Sequence, residues 1–325
     1  MPRARLLGEG SYGCVYKPHL QCDVPGKRQS KDLVGKIFVS SHAFEDEYDT
    51  QMRIVNKLDP KGEFTLPFHD RCVVKTDANR ESLSQCKLTK QRPAPSYNQL
   101  IYENGGTSLH DFMKKRGNTP EFLRILENMR PLFVGIQRMQ ERGKVHQDIK
   151  PDNIMKKGEK IFLIDFGLLN SRDGVFTKEN AYVLEYDYPY YPPEFKLFGL
   201  KHERTKFILS ARRNYKYLDS TAVQILEGIL GHGLFAGLDR VYDERKTNPQ
   251  LFNADKVDIY SLGMSIFELY IWSGLYRSKN KRYRHIRFLV EDLIRNMLQM
   301  NPSTRPNITN LINQFDDMFQ RLRKL

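Results

Sequence analysis

Residues 146–153 read His146-Gln147-Asp148-Ile149-Lys150-Pro151-Asp152-Asn153, and Asp165-Phe166-Gly167 follows behind the apolar run Ile161-Phe162-Leu163-Ile164. These residue types suit phosphoryl transfer. A carboxylate orients an attacking hydroxyl and takes its proton, a task open to Asp148. An ammonium beside it, Lys150, neutralises charge on the phosphoryl group in flight. The side-chain oxygens of Asn153 and Asp165 are hard donors, suited to Mg²⁺. A surface loop that happens to hold acids and amides is the plain alternative. The order and spacing of the two motifs argue against it.

A second set lies near the N-terminus. Gly8-Glu9-Gly10-Ser11-Tyr12-Gly13-Cys14-Val15 spaces its glycines so that backbone N–H groups can approach phosphate oxygens without Cβ interference. Alone, the pattern is explained equally by a tight turn or a dinucleotide fold. A strand follows it here rather than a helix, which opposes a dinucleotide site. Lys36 lies in the β-rich run Leu33–Phe38. A lone strand lysine is usually a solvated edge charge, but this chemistry needs one cation over the α/β-phosphates. A carboxylate must hold that cation. Glu47 on the following helix is preferred, with Glu45 as the alternative, and Gln51 stands where the usual spacing would put the acid.

The elements that must position these groups follow from periodicity and breakers. Residues Arg5–Ile37 read as strands and turns. Phe44–Leu58 reads as one amphipathic helix, ended by Asp59-Pro60-Lys61-Gly62. Arg71–Arg92 is polar and reads as a hairpin with a long turn. Tyr97–Glu103 is a short strand, broken by Asn104-Gly105-Gly106. Beyond this point the chain turns helical. Ser108 caps one helix. Thr119–Gly143 reads as a single long helix with Phe122, Ile125, Leu126, Met129, Phe133, Ile136 and Met139 on one face. Short strands fall around Ile154–Met155 and Ile161–Ile164. Helical periods return at Asp258–Trp272, Ile286–Met300 and Ile308–Leu322. The class expected is α+β, with a strand-rich segment 1–103 followed by a helix-rich segment 104–325.

The chain has 325 residues, 40% hydrophobic and 28% charged, so a substantial core is expected and global disorder is not. The net charge of +13 suits solubility, or an acidic partner such as an acidic protein, nucleic acid or a membrane surface. The basic residues are spread out. Their densest runs, Arg277–Arg287 and Arg321–Lys324, flank no RNA-reading motif, so a nucleic-acid module is the weaker reading. Cys14, Cys22, Cys72 and Cys86 form no Cys-x-x-Cys pair and have no histidine cluster nearby, so zinc is not expected. They are too few for a disulfide framework, and reduced thiols are expected. The glycine loop begins at Gly8, leaving no room for a signal peptide. The longest apolar stretch, Tyr260–Trp272, is too short and too polar for a membrane span. An intracellular location, cytoplasmic or nuclear, is the expectation.

Taken together, these motifs resemble those of the eukaryotic-type protein kinase family over nearly the whole chain. Pro192-Pro193-Glu194 resembles the family's Ala-Pro-Glu, Asp258-Ile259-Tyr260-Ser261-Leu262-Gly263 its Asp-x-Trp-Ser-x-Gly helix, and Asn301-Pro302-Ser303-Thr304-Arg305-Pro306 its late arginine motif. The resemblance implies a bilobal fold, a β-rich N-lobe and an α-helical C-lobe with an ATP cleft between. It implies a Ser/Thr protein kinase acting on a protein substrate with ATP and Mg²⁺ as cofactors. Asp148 would be the base, with Lys150, Lys36 and Glu47 in support. Asn153 and Asp165 would bind metal. Leu7, Gly8, Glu9, Gly10, Ser11, Tyr12, Gly13, Cys14, Val15, Val34 and Lys36 would contact nucleotide, with Tyr102, Glu103 and Asn104 as hinge and Met155 under the adenine. Glu194 would pair with Arg305, and Asp258 would hold the catalytic loop through backbone amides.

Three departures stand out. Gln147 replaces the arginine that precedes the catalytic aspartate, the group that would clamp a phosphate on the activation segment. A neutral amide makes no charge-assisted pair, so activity is expected not to depend on phosphorylation of that segment, which carries Ser171 and Thr177. Val34 stands where the family has alanine and narrows the adenine pocket. An insert at about 196–255 is expected to be an elaborated helical subdomain rather than a docking surface. The compact N-lobe with Lys57-Leu58-Asp59-Pro60 resembles kinases of large DNA viruses, which would place the chain in host cytoplasm or the virion. The competing readings are an ATP-binding pseudokinase scaffold, opposed by the presence of Lys36, Asp148, Asn153 and Asp165, and a basic nucleic-acid-associated module.

Overall fold

The computed structural model describes residues 3–24, 29–180, 187–200 and 203–324. The chain divides into two compact units, Met1–Gly106 and Thr107–Leu325. It is a mixed helix-and-sheet protein with its main antiparallel sheet in the first unit.

That sheet contains β1 (Arg5–Glu9), β2 (Gly13–Lys17), β3 (Leu33–Phe38), β4 (Phe68–Lys75) and β5 (Ser96–Glu103), in the order β1-β2-β3-β5-β4. Register places Val15 opposite Lys36 and Cys14 opposite Ile37. The end of the glycine turn and the lysine are therefore fixed to each other by a single strand pair. The close approach requires glycine at position 13, where a Cβ would lie 1.9 Å from the Ile37 carbonyl oxygen. On β3's other side Lys36 faces Leu100, and Val34 faces Tyr102. Gln99, fully buried in β5, accepts from Leu20 N–H at 2.8 Å and donates to the Leu20 carbonyl at 3.1 Å. A buried amide satisfied in this way is tolerated in a core.

Helix α1 (Ser41–Thr50) is capped by the Ser40 hydroxyl, which accepts from Ala43 N–H at 3.3 Å. The single helix expected over Phe44–Leu58 begins earlier and widens into a π turn at Gln51–Val55 before Asn56–Leu58. Phe44 meets Phe38 and Tyr48 meets Phe68 edge to face, and Phe68 in turn meets Tyr102, which seats this helix on β3, β4 and β5. The buried Asp59 carboxylate ends the run by accepting from the N–H groups of Glu63, Phe64 and Thr65, each at 2.8 Å.

Two expectations fail in this unit. Arg71–Arg92 is not a hairpin: β4 is followed by α2 (Thr76–Leu83) and α3 (Lys87–Gln91). The polarity that reads as a turn belongs to groups bonded internally. Ser82 donates to the Ala4 carbonyl at 3.0 Å, Asn79 accepts from Gln21 N–H at 3.0 Å, and Gln85 accepts from Leu6 N–H at 3.1 Å. Leu83 and Cys86 then close a core with Cys14, Tyr16, Ile37 and Tyr97. The cysteines are also not reduced. Cys14 is bonded to Cys86 and Cys22 to Cys72, bridging 72 and 50 positions of sequence. Strand β2 and α2–α3, far apart in the chain, meet on one sheet face, and spacing alone carries no trace of that. Glu9 lies within 4.8 Å of the sulfurs of Cys14 and Cys86, but those atoms are joined to each other and offer no thiolate pair to a metal.

In the second unit the expected Thr119–Gly143 helix is two helices, Thr119–Asn128 and Arg130–Glu141. Pro131 lacks the N–H that would continue the ladder through Met129, and it sits in the first turn of the second helix. Ser108 and Asn118 cap the helices that follow them. Val257–Ser273 is buried on nearly all sides. Lys281–Met297 and Ile308–Leu322 complete the C-terminal helices. The described residues of the insert fold mainly into helices Arg204–Arg213, Ser220–Leu230 and Leu234–Glu244. Among the described residues no single helix is long and apolar enough to cross a membrane.

Candidate active site

Two strand ladders of the second unit bring the 146–153 and 165–167 motifs together. β6 (Thr107–Ser108) and β9 (Lys160–Leu163) flank β8 (Ile154–Lys157), while β7 (Lys144–Val145) pairs with β10 (Asn170–Ser171). Residues 146–153 thus connect β7 to β8, and Asp165-Phe166-Gly167 connects β9 to β10. Each motif has its two ends anchored by the same two ladders.

Asp258 fixes the first motif from beneath. One carboxylate oxygen accepts from His146 N–H at 2.7 Å and the other from Gln147 N–H at 3.0 Å. Burial pushes its pKa up to about 6, opposed by those two bonds. His146 is fully buried with its ring against Phe166, and burial lowers its pKa to about 4, so the imidazole is neutral. Its Nδ1 accepts from Asp148 N–H at 3.2 Å.

The Asp148 carboxylate receives Lys150 Nζ at 3.0 Å and Asn153 Nδ2 at 2.7 Å on the same oxygen. Asn153 also donates to the Asp148 carbonyl at 3.0 Å. Burial raises the pKa of Asp148 and the nearby Asp165 adds to this, while Lys150 and Asn153 oppose the rise. Among the described residues Gln147 and Asp165 are the non-glycine positions with positive φ, 65° and 63°. Strain of this kind costs on the order of 1–3 kcal/mol per residue and persists only where surroundings impose it. Here it flanks Asp148 and sits on the candidate metal ligand.

The donor set suits a hard cation. The Asn153 amide nitrogen is committed to Asp148, which leaves the carboxamide oxygen as the donor, and Asp165 contributes a carboxylate. Lys150 Nζ lies 5.3 Å from the centre of the Tyr188 ring. Tyr188 N–H donates to the Asn214 side chain at 3.1 Å, and Asn214 donates back to the Tyr191 carbonyl at 3.1 Å. Glu194 and Arg305, both fully buried, form a two-pronged pair at 2.5 and 2.9 Å.

The first unit assembles its own set. Lys36 Nζ donates to Glu47 at 2.5 Å. Glu45 instead lies 3.9 Å from Arg71, and Gln51 donates to Asn56 at 2.7 Å. The glycine turn is closed by Gly10 N–H on the Gly13 carbonyl at 2.8 Å. Leu7 through Val15 lie on β1, this turn and β2, and Val34 and Lys36 lie on β3. Tyr102 and Glu103 end β5, and Asn104 N–H donates to the Asp32 carbonyl at 3.0 Å. The Cys14 sulfur is committed to Cys86, and the residue is fully buried. Met155 belongs to the second unit, on β8. Sequence reasoning passed over Asn180, Tyr188 and Asn214. No linear spacing marks the two asparagines, although Tyr188 lies close to Pro192-Pro193-Glu194.

No family model matches the chain. Over 180 residues, 55% of the chain, it is 26% identical to the serine/threonine-protein kinase ppk11 of Schizosaccharomyces pombe (strain 972 / ATCC 24843). The chain spans about half the length of that curated relative, 49%. This distant likeness supports a protein-kinase-like family and suggests a kinase.

Proposed function

We propose that the chain is a Ser/Thr protein kinase that transfers the γ-phosphoryl group of Mg-ATP to a protein hydroxyl. The observation that carries this is the Asp148 carboxylate, buried and held by Lys150 at 3.0 Å and Asn153 at 2.7 Å, in the same unit as Asp165. In the proposed reaction Asp148 orients the acceptor hydroxyl and takes its proton. Lys150 offsets charge on the transferring phosphoryl. The N–H groups of the glycine turn and Lys36, held by Glu47, bind the nucleotide phosphates. Asn153 and Asp165 would hold Mg²⁺, which supplies charge neutralisation on those phosphates. The pseudokinase reading is opposed by the Lys36–Glu47 pair and the complete Asp148, Asn153 and Asp165 set.

Membership among kinases of large DNA viruses is part of this proposal, supported by the short first unit and Lys57-Leu58-Asp59-Pro60. So is an intracellular site of action. The two disulfides oppose a fully reducing setting there, and a non-reducing gel of thiol-blocked cell lysate decides between thiols and disulfides. Independence from activation-segment phosphorylation is also proposed, and phosphatase-treated protein should keep its rate.

The decisive experiment is autophosphorylation by wild type and Asp148→Asn at matched Mg-ATP. The variant is expected to lose at least about 100-fold in turnover with little change in ATP affinity, because the base acts in the transition state. Equal labelling by both proteins removes Asp148 from this role.

A further inference from the structure

Gln147 sits between the two residues that matter most to the loop, and nothing in the reaction as proposed uses its side chain. That side chain is 1% exposed. Its Nε2 donates to the Leu168 carbonyl at 2.8 Å, three residues beyond Asp165. Its Oε1 accepts from Asn180 Nδ2 at 2.8 Å, and the same Asn180 nitrogen donates to the Val175 carbonyl at 2.8 Å. Asn180 is itself buried. The backbone of Gln147 is held in the left-handed region, with its N–H on Asp258.

These bonds form one chain of contacts. It starts at Asp258, passes through the residue adjoining Asp148, and reaches both the turn that carries Asp165 and the segment 175–180. Every link after Asp258 is a neutral amide or carbonyl. A buried amide pair of this kind is directional, because each group has a fixed donor and acceptor end. A left-handed Gln147 aims the side chain, and Asn180 fills its acceptor. Losing one partner leaves a buried polar atom without a bond, which costs on the order of 1–3 kcal/mol and frees the strained backbone to relax.

We propose that Asn180 is a positioning residue, which with Gln147 forms a neutral latch that holds Asp148 and Asp165 in register and replaces a phosphate-dependent clamp. The proposal rests on the kinase reading above and names how that site is kept in its working form. The side chains of the latch carry no ionisable group, so the link itself needs no phosphate to form.

The test uses the full chain and autophosphorylation at saturating Mg-ATP, with the ATP concentration for half-maximal rate measured in parallel and a thermal melt for each variant. Asn180→Leu removes the donor at similar size. It is expected to lower the rate about 10-fold or more while the half-saturating ATP concentration stays within about 2-fold, since phosphate binding does not pass through this residue. Gln147→Arg places a buried guanidinium without a counter-charge and is expected to lose at least as much. Gln147→Arg with Asn180→Asp rebuilds the link as a charge-assisted pair and is expected to recover about 10-fold over Gln147→Arg alone, a rescue that loss of stability by itself would not give. An Asn180→Leu protein with the wild-type rate overturns the latch, as does a double variant no faster than Gln147→Arg. Wild-type protein that does not label at all sinks the kinase reading itself, a separate outcome.

Discussion

The two units fasten their functional segments by different means. In the first, the strand leaving the glycine turn is tied covalently: Cys14 to Cys86 and Cys22 to Cys72 clamp β2 and the chain after it to α2–α3 and β4. In the second, the loop carrying Asp148 is held by buried polar bonds, Asp258 on two backbone amides and Gln147 on Asn180, while Glu194 and Arg305 form a buried pair elsewhere in the same unit. A disulfide acts mainly by restricting the unfolded chain and constrains geometry only near its ends. A buried polar pair adds little net stability when complete and costs much when half is removed. The first unit therefore responds to redox conditions, and the second to the loss of single partners.

The largest effect is expected at Glu194–Arg305. Arg305→Leu leaves a carboxylate at zero exposure without its partner and should cost about 3–5 kcal/mol. Glu194→Leu should cost a similar amount. The double variant should recover part of the loss, because no uncompensated charge remains. Urea unfolding followed by a probe in the second unit measures all three. Losses that simply add in the double variant would mean the pair is not the source of the cost.

The disulfides come next. Cys14→Ala with Cys86→Ala opens a link spanning 72 positions, which should cost about 2–4 kcal/mol. The Cys22–Cys72 link spans 50 and should cost slightly less, since the loop term grows only with the logarithm of length. Dithiothreitol should reproduce the combined loss in wild type. Melting of the first unit should shift and that of the second should not. A melt that is unchanged by reductant breaks the contrast between the units.

This contrast also explains what the sequence made legible. The residues around Asp148 and Asp165 form two short contiguous motifs, and the strands at Ile154–Met155 and Ile161–Ile164 between them could be read, but the pairing of Lys144–Val145 with Asn170–Ser171 could not, because two-residue strands leave no period. Lys36 and Glu47 were legible as a preference because strand β3 and helix α1 adjoin in the chain. The disulfides were not, because their ends are brought together only by the fold of α2–α3, whose polar side chains read as a turn. Asn180 and Asn214 escaped for a related reason. An asparagine looks the same in a solvated loop as in a buried latch, and only the partner, 33 positions away for Asn180, tells them apart. The π turn at Gln51 was hidden because hydrophobic periodicity survives a local change of helix register, whereas the break at Met129 was marked by Pro131 and outweighed by the apolar period on either side of it.

The subtlest expected difference is in pH dependence, which separates two buried groups that touch the same loop. Asp258 has its pKa raised from 3.8 to about 6. A raised folded-state pKa contributes stability that is full below about 4 and is lost as pH rises through about 6. His146 has its pKa lowered from 6.5 to about 4. It contributes stability that is full above about 6.5 and is lost as pH falls through about 4. Between these limits the two slopes oppose each other, so wild-type stability of the second unit should change little from pH 4.5 to 6.5 on their account. Asp258→Asn removes one slope while its amide oxygen can still accept one of the two loop N–H bonds. Relative to wild type, the variant should gain stability as pH rises through this window, because the opposing contribution of Asp258 is gone. Urea midpoints at several pH values read the slope directly. A variant whose slope matches wild type would show that Asp258 is ionised throughout the window, and would shift the support of the loop from burial to the two backbone hydrogen bonds.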